Sequence, residues 1–120
     1  MSKAILLISH GSRSNKTKIE IELLVNKLKA KTNLAIIEYA FLELEIPSIP
    51  EGIDICALKG ASEIVVLLNF LNAGRHVDND IPTIVNKSAQ RYPRIKFSIT
   101  QPVGQHDRIV DLFTDLIFSS

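Results

Sequence analysis

Short, nearly continuous apolar runs alternate along this chain with segments in which apolar residues recur at helical spacing. Apolar runs without regular polar alternation are typical of parallel strands buried on both faces; here they are KAILLIS, LAIIEYAFL, EIVVLLNF and IKFSITQ. Helical apolar spacing predicts helices between and after them, in KTKIEIELLVNKLKAK, EGIDICALKG, IPTIVNKSAQRY and RIVDLFTDLIF. The predicted order is therefore β-α-β-α-β-α-β-α.

Regular alternation of strands and helices predicts a single α/β domain over residues 1–120. We expect three layers, with a four-stranded parallel sheet covered by helices on both faces and joined by right-handed crossovers. By analogy with doubly wound folds, the favoured strand order is 2-1-3-4. Ligands of such sheets bind outside the carboxyl ends of the strands, at the switch point that here lies between the first and third strands.

Proline and aspartate mark where two of the helices begin. Pro50 is predicted to lie in the first turn of the second helix. The segment LNAGRHVDN, residues 71–79, is predicted to be a long loop. Asp80 is predicted to cap the third helix, with Pro82 in the first turn, and Asp78 either caps it one step earlier or lies in solvent.

Composition excludes several classes of protein. Hydrophobic residues make up 46% of the chain and charged residues 22%, and the formal net charge is +1. These values are typical of a globular domain, and the net charge gives no global field for nucleic acid or an anionic membrane. The first apolar run is too short for a signal peptide or a membrane span, so we expect a cytoplasmic protein.

Cys56 is the single cysteine of the chain. One thiol forms neither a disulfide framework nor a cysteine metal site within the chain, which favours a reducing compartment. Apolar neighbours on the predicted second helix indicate a buried structural thiol rather than a nucleophile.

Every histidine of the chain follows a predicted strand, and none is predicted to lie inside a helix: His10 follows the first strand, His76 the third and His106 the fourth. Neutral imidazole is a common ligand of cobalt, nickel, iron and zinc, and it also titrates near pH ~6.5. Because the first and third strands are neighbours, we predict that His10 and His76 meet at the switch point and bind a metal. His106 could equally lie at the start of the last helix.

Charged residues and glycines surround this edge. Glu43 follows the second strand and is either a solvated loop residue or a general base or extra ligand beside the histidines; the same reading is weaker for Glu45. Arginines there would suit a substrate that carries carboxylates, and glycines would let the backbone turn sharply and approach a ligand. The candidate substrate-binding residues are Ser12, Arg13, Gly74 and Arg75, with Gly11 a further glycine of this kind.

The stretch SHGSR, at residues 9–13, is also compatible with an anion-binding site, because backbone N–H groups at the start of a helix bind anions. Neither GxxxxGK[ST] nor GxGxxG occurs in the sequence, which argues against a nucleotide site.

Taken together, LLISHGSR, FLELEIPSIPEG and FLNAGRHVDNDIP resemble the small sirohydrochlorin chelatases, and the similarity continues to PVGQHDRIVDLF. These short members of the class II chelatase family insert cobalt, nickel or ferrous iron into sirohydrochlorin. The resemblance implies a chelatase-like fold, metal handling by His10 and His76, and a role for Glu43 that varies among relatives. Longer relatives carry two such domains, so it also implies a homodimer. Asn69 stands where family members often have proline.

The resemblance implies insertion of a divalent metal into a tetrapyrrole, with the metal as substrate and no organic cofactor. His10, Glu43 and His76 are the candidate catalytic residues, and the histidines are the candidate metal ligands. Cobalamin, sirohaem and nickel-tetrapyrrole synthesis remain open, because two histidines accept all three metals. The rival hypotheses are a non-catalytic metal or tetrapyrrole carrier and a phosphate-binding enzyme built on SHGSR.

Overall fold

The computed structural model describes residues 2–119. Its strands are β1 (Lys3–Ser9), β2 (Ile36–Phe41), β3 (Glu63–Leu68) and β4 (Lys96–Pro102), and its α-helices are α1 (Asn15–Thr32), α2 (Ile49–Leu58), α3 (Ile81–Ala89) and α4 (Ile109–Ser119). All strand pairs are parallel, and the order across the sheet is β2-β1-β3-β4. The predicted fold class and strand order are confirmed.

The central position of β1 explains its continuous apolar sequence. Ile5 of β1 pairs with Ile37 on one side and with Val65 on the other. β1 has a neighbouring strand on each side, and side chains pack against both of its faces. If polar and apolar residues alternated along β1, the polar side chains would therefore lie in the core. The carboxyl ends of β1 and β3 therefore lie next to each other, as the sequence predicts.

The sheet separates two hydrophobic layers. The layer beneath α2 and α3 contains side chains from the sheet and from both helices, among them Leu6, Ile8, Ile53, Ile64 and Ile81. The layer beneath α1 is smaller and is formed by Leu7, Ile21, Val25, Ile37 and Phe41. This difference places most of the buried apolar surface on the α2–α3 side.

Local signals explain how α2 begins and why it lies close to the sheet. Ser48 Oγ accepts the N–H of Glu51, and the Glu51 carboxylate accepts the N–H of Ser48, which is a complete capping box. Pro50 lies in the first turn, as predicted. A Cβ on Gly52 would stand 2.9 Å from both Leu6 Cδ1 and Ala40 Cβ, so glycine permits this close contact of helix and sheet.

Helices cover both faces of the sheet, but α4 does not take part. α4 packs chiefly against the 3₁₀ turn Val103–Gln105 that precedes it, and no residue of Ile109–Ser119 is buried. Within residues 2–119, no helix has the length and apolar character needed to cross a membrane.

Candidate metal and active site

His10 is placed by the end of the central strand. It follows Ser9, the buried last residue of β1, and its own side chain is half-exposed. Asn69, just past β3, donates its backbone N–H to the carbonyl of Ile8 and its side-chain amide to Ser9 Oγ. The residue that replaces the expected proline therefore ties the ends of β1 and β3 together immediately before His10.

Gly11 brings the segment after β1 against the segment after β2. The Glu43 N–H donates to the His10 carbonyl at 3.0 Å, and Gly11 has a φ of +105°. A Cβ at this position would lie 1.8 Å from the Glu43 carbonyl oxygen. Only glycine fits here, and the close approach places His10 Nε2 2.9 Å from Glu43 Oε1. Glu43 therefore lies beside one of the two histidines, and its role as a base or ligand stays a prediction.

Two backbone amides of the loop after Gly11 already have side-chain acceptors within the chain. Ser12 N–H donates to Glu45 Oε1 at 2.7 Å, and Ser14 N–H donates to Ser12 Oγ. Ser14 then caps α1 by accepting the N–H of Lys16. These bonds disfavour the hypothesis that SHGSR is an anion loop, and they give Glu45 a structural role in holding this loop.

His76 lies in a helical turn, not in the long loop that the sequence predicts. Residues His76–Asp80 form a π-helical turn that leads directly into α3. The start of this turn is held by a hydrogen bond from the Asp78 N–H to the Gly74 carbonyl, at 2.7 Å. The prediction that no histidine lies in a helix is therefore wrong. The turn fixes the direction of the imidazole relative to the sheet edge.

Asp80 does not cap α3, which corrects the sequence-based prediction. Its backbone is helical, with φ −66° and ψ −49°, and its side chain makes no capping hydrogen bond. Instead Asp80 Oδ2 lies 2.8 Å from His76 Nδ1, one turn earlier. Because an ionised carboxylate only accepts, this contact places the hydrogen on Nδ1 and leaves the Nε2 lone pair of His76 available. The missed signal is the i, i+4 spacing of His76 and Asp80.

The two imidazoles meet at the switch point. The ring centroids of His10 and His76 are 5.4 Å apart, and the rings are tilted by 52°. With metal–nitrogen bonds of about 2.1 Å, two imidazoles on one tetrahedral ion have centroids roughly 5 Å apart. The meeting of the two histidines is as expected and their spacing is close to that of two imidazoles on one ion, while their metal role stays a prediction.

The donor set is open. Within residues 2–119, no group of three or more His, Cys, Asp or Glu side chains is arranged to hold a metal ion. Closed structural sites use four protein ligands, whereas sites that exchange ligands leave positions free. Two imidazoles therefore suit a transiently bound metal better than a permanently bound structural metal.

A depression with mixed polar and apolar walls lies beside His76. Its volume is about 330 Å³, and Leu42, Glu43, His76, Asp80, Thr83 and Ile84 line it. The carboxylates of Glu43 and Asp80 thus face the same hollow as the His76 ring. A flat ligand seated there would present one face to the His76 imidazole and to both carboxylates.

The remaining predicted substrate-binding residues lie around this edge. Arg13 and Arg75 are exposed, and neither belongs to an ion pair among residues 2–119. Gly74 has no positive φ, and no atom lies within 4 Å of where a Cβ would stand, so the sharp glycine turn expected there is absent, whereas the one at Gly11 is confirmed. The two guanidinium groups remain available for carboxylates of a ligand.

His106 and Cys56 lie apart from the paired imidazoles. His106 Nδ1 accepts the N–H of Arg108 at the entrance to α4, and the residue lines a separate depression with Val103 and Leu112. Cys56 is fully buried in α2, and burial raises the pKa of its thiol to about 12, as expected for a structural cysteine.

The chain is similar to a known protein family over nearly its whole length. A CbiX family model matches residues 4–120. The chain is 36% identical over 113 residues to the chloroplastic sirohydrochlorin ferrochelatase of Arabidopsis thaliana, covering 94% of this chain and 50% of the relative. It is 34% identical over 137 residues to the sirohydrochlorin cobaltochelatase of Methanococcus aeolicus, covering 94% and 96%.

Solved structures show the same fold. The sirohydrochlorin chelatase SirB from Bacillus subtilis subspecies spizizenii, in complex with cobalt, superposes with a TM-score of 0.89 at 33% identity, covering 99% of this chain and 51% of that chain. A CbiX protein from Marinobacter aquaeolei superposes with a TM-score of 0.82 at 22% identity, covering 98% and 95%. This chain spans about half the length, or less, of several relatives that it matches. The matched residues and the shared fold show that the chain belongs to the CbiX family.

Proposed function

We propose that this chain inserts a divalent metal into sirohydrochlorin. The observation that carries the proposal is the pair of imidazoles, 5.4 Å apart at an open sheet edge, each in contact with a carboxylate. The relatives named as sirohydrochlorin ferrochelatases and cobaltochelatases support the same reaction. The metal is a substrate here, and the candidates are cobalt, ferrous iron and nickel.

The two histidines receive the metal in different ways. His76 offers Nε2 directly, because Nδ1–H donates to Asp80. His10 faces acceptors with both nitrogens, Glu43 Oε1 at 2.9 Å and the Gly11 carbonyl at 3.3 Å. A cation entering between His10 and Glu43 takes the place of the proton that the pair holds, so metal binding at His10 releases a proton.

Insertion also needs a base, since the macrocycle loses two pyrrole protons as one divalent cation enters. Glu43 is about half-exposed and lies at the rim of the hollow next to the His10 ring. It accepts one pyrrole proton and passes it to solvent, and His10 or Glu43 accepts the second after the metal leaves. Holding the ring against the two imidazoles supplies the orientation that the transfer requires.

Sirohydrochlorin carries many carboxylates, and the edge of the site carries cations to match them. Arg13 lies three residues after His10 in the sequence, and Arg75 directly precedes His76. Both arginines are exposed. We assign them to peripheral carboxylates by bidentate pairing, with Ser12 and Gly74 on the same loops.

One domain supplies one wall of a cleft for such a ligand. We propose that a second copy of this chain supplies the other, in a homodimer that works in a reducing, cytoplasmic environment. The support is the length of the relatives, since the cobalt-bound SirB chain contains about as many residues beyond the matched half as within it.

The test is an absorbance assay of sirohydrochlorin with cobalt, ferrous iron or nickel, alone and in competition. We expect turnover by the wild type, loss of at least about tenfold in His10→Ala and His76→Ala, and little change in His106→Ala, the matched control. Wild-type rates in His76→Ala would refute the metal role of this residue. Stoichiometric binding without any acceleration over buffer would instead establish a carrier.

A further inference from the structure

A groove lies along α3, next to the depression beside His76. Its volume is about 630 Å³, and its walls are formed by Pro50, Ile84, Lys87, Ser88, Gln90 and Arg91. Ile84 also lines the depression beside His76, so the two hollows share a wall. Pro50 belongs to the first turn of α2, which packs against α3. The groove therefore follows the α2–α3 side of the fold away from the paired imidazoles.

One helical face borders both hollows. Its residues follow helical spacing from the π-helical turn into α3, and they are His76, Asp80, Thr83, Ile84, Lys87 and Ser88. Lys87 lies seven residues after Asp80, which is roughly 10 Å along the helix axis. Because Cα–Cβ bonds in a helix tilt towards its N-terminus, the Lys87 side chain leaves α3 in the direction of the metal site.

The two cations that line the groove differ in their partners. Arg91 Nη2 lies 2.8 Å from Asp54 Oδ1 on α2, and its guanidinium group stands 5.5 Å from the centroid of the Tyr92 ring. Lys87 is exposed and forms no ion pair among residues 2–119. Arg91 is thus engaged in the contact between the helices, whereas the Lys87 ammonium group is available to a ligand.

Ser88 adds a polar group to the wall of the groove. The residue is only 4% exposed, and it lines the groove beside Lys87. Its hydroxyl takes part in no side-chain hydrogen bond within residues 2–119. A polar group at this depth is costly without a partner, and the groove is the side from which a partner reaches it. Ser88 Oγ and Lys87 Nζ therefore offer neighbouring donors to one anionic group.

The depression beside His76 does not hold a whole tetrapyrrole. Its volume is about 330 Å³, which is at the lower end of the roughly 300–1,000 Å³ of pockets for drug-sized ligands. A macrocycle with carboxylate arms is larger than such ligands. Glu43 and Asp80 also line the depression, and like charges there disfavour a ligand carboxylate. An arm on this side of the ring therefore continues past the rim.

We propose that the groove takes one carboxylate arm of the tetrapyrrole, with the carbon stem against Ile84 and Pro50 and the carboxylate on Lys87 and Ser88. The assignment rests on the proposed function, since it adds a part to the same substrate site. The order of groups along the surface matches such an arm, because apolar side chains come first and the cation and hydroxyl follow. A lysine ammonium acts as a point charge on a flexible stem, so it accepts a carboxylate without the fixed geometry of an arginine.

The first test is the affinity for metal-free sirohydrochlorin, measured by quenching of the ligand's fluorescence. We expect Lys87→Met to raise Kd about tenfold, and Lys87→Glu to raise it further, because a charged hydrogen bond is lost. Lys87→Arg keeps the charge and should stay close to the wild type. Cobalt affinity should not change in any of them. In insertion assays, Lys87→Met should raise the KM for sirohydrochlorin and leave kcat nearly unchanged.

Lys27→Met is the matched control for the loss of one positive charge. Lys27 is exposed on α1, on the other face of the sheet, and forms no ion pair among residues 2–119. It should keep the wild-type affinity. Equal losses in the two Met variants, or an unchanged Kd in Lys87→Glu, would overturn the assignment. A wild type that binds sirohydrochlorin without inserting metal would refute the proposed function alone, and a wild type that does not bind it would refute both.

The second test needs no substitution. Reductive methylation of the wild type with and without saturating metal-free sirohydrochlorin, followed by mass spectrometry of its peptides, compares the accessibility of individual lysines. We expect the ligand to slow the modification of Lys87 several-fold and to leave that of Lys27 unchanged. Modification of Lys87 at the same rate in the complex would show that the arm lies elsewhere, whatever the rate of metal insertion.

Discussion

The Asp80 carboxylate accepts a hydrogen bond from His76 Nδ1 at 2.8 Å, across one turn of the π-helical segment that leads into α3. The contact does for His76 what a carboxylate does behind many metal-bound histidines: it fixes the tautomer and the ring orientation. The residue with an apparently architectural role at the start of a helix thus acts on the proposed metal ligand. Asp80 is a positioning residue, since it acts through His76.

Replacing Asp80 should weaken metal handling without unfolding the domain. We expect Asp80→Ala to lower kcat/KM for metal insertion about 10- to 100-fold, because the His76 ring loses both its tautomer preference and its anchor. The KM for metal should rise more than the KM for sirohydrochlorin. Steady-state insertion assays with each substrate varied measure this difference.

Asp78→Ala is the matched control for that experiment, because Asp78 lies on the same turn and is exposed. It removes the same charge from the same segment, so it should retain near-wild-type rates. Asp80→Asn, which keeps an acceptor oxygen, should recover part of the loss. Equal losses in the Asp78 and Asp80 variants would show that only the local charge matters.

Glu43→Gln should separate metal binding from proton transfer. The amide keeps the size of the side chain and a contact with His10, but it does not accept a pyrrole proton. We expect the insertion rate to fall roughly 100-fold, the low end of the usual effect of a general base, with much smaller changes in cobalt affinity. Stopped-flow absorbance and cobalt titration measure the two quantities.

Glu20→Gln, on the exposed surface of α1, is the control for the loss of one carboxylate. It should leave both quantities unchanged. If Glu43→Gln abolishes cobalt binding in proportion to the rate, Glu43 acts as a ligand and the base is another group.

Sequence patterns predicted most of the fold because the buried strands and their helices follow simple spacing rules. The strand order and the meeting of His10 with His76 followed from the topology of a doubly wound sheet. The role of Asp80 could not be predicted in this way, because an aspartate before Ile-Pro is typical of a helix N-cap. Only the observed π-helical turn places its carboxylate against the His76 ring. The direction of α4 was equally unpredictable, since an amphipathic pattern does not say where on the fold a helix will lie.

Gly11→Ala should be among the most damaging small substitutions in the chain. It introduces a Cβ 1.8 Å from the Glu43 carbonyl oxygen at a φ of +105°, so the loop after β1 has to separate from the loop after β2. We expect a loss of more than about 3 kcal/mol in unfolding free energy, because the clash adds to the backbone strain. Urea denaturation measures the stability, and insertion assays on the folded fraction measure the displacement of His10.

Gly60→Ala isolates the strain from the clash. Gly60 has a comparable φ of +94°, but no atom lies within 4 Å of a Cβ built there. The expected loss is about 1–2 kcal/mol, with no change in metal insertion. A similar cost at both positions would mean that the contact between the two loops yields easily and does not hold His10 in place.

Cys56 should make the domain less stable as the solution becomes alkaline. Burial raises the pKa of its thiol from 9.0 to about 12 in the folded state, so above pH 9 the unfolded chain loses this proton while the folded chain keeps it. Stability is then unaffected by this group below its unfolded pKa and falls between that value and the folded one, by about 1.4 kcal/mol per pH unit. Urea denaturation of the wild type and Cys56→Ala from pH 8 to pH 10.5 measures the effect as a difference in slope, which is independent of the constant cost of the smaller side chain. Parallel stability curves for the two proteins, or rapid alkylation of the native thiol at pH 8, would show that Cys56 is accessible to solvent.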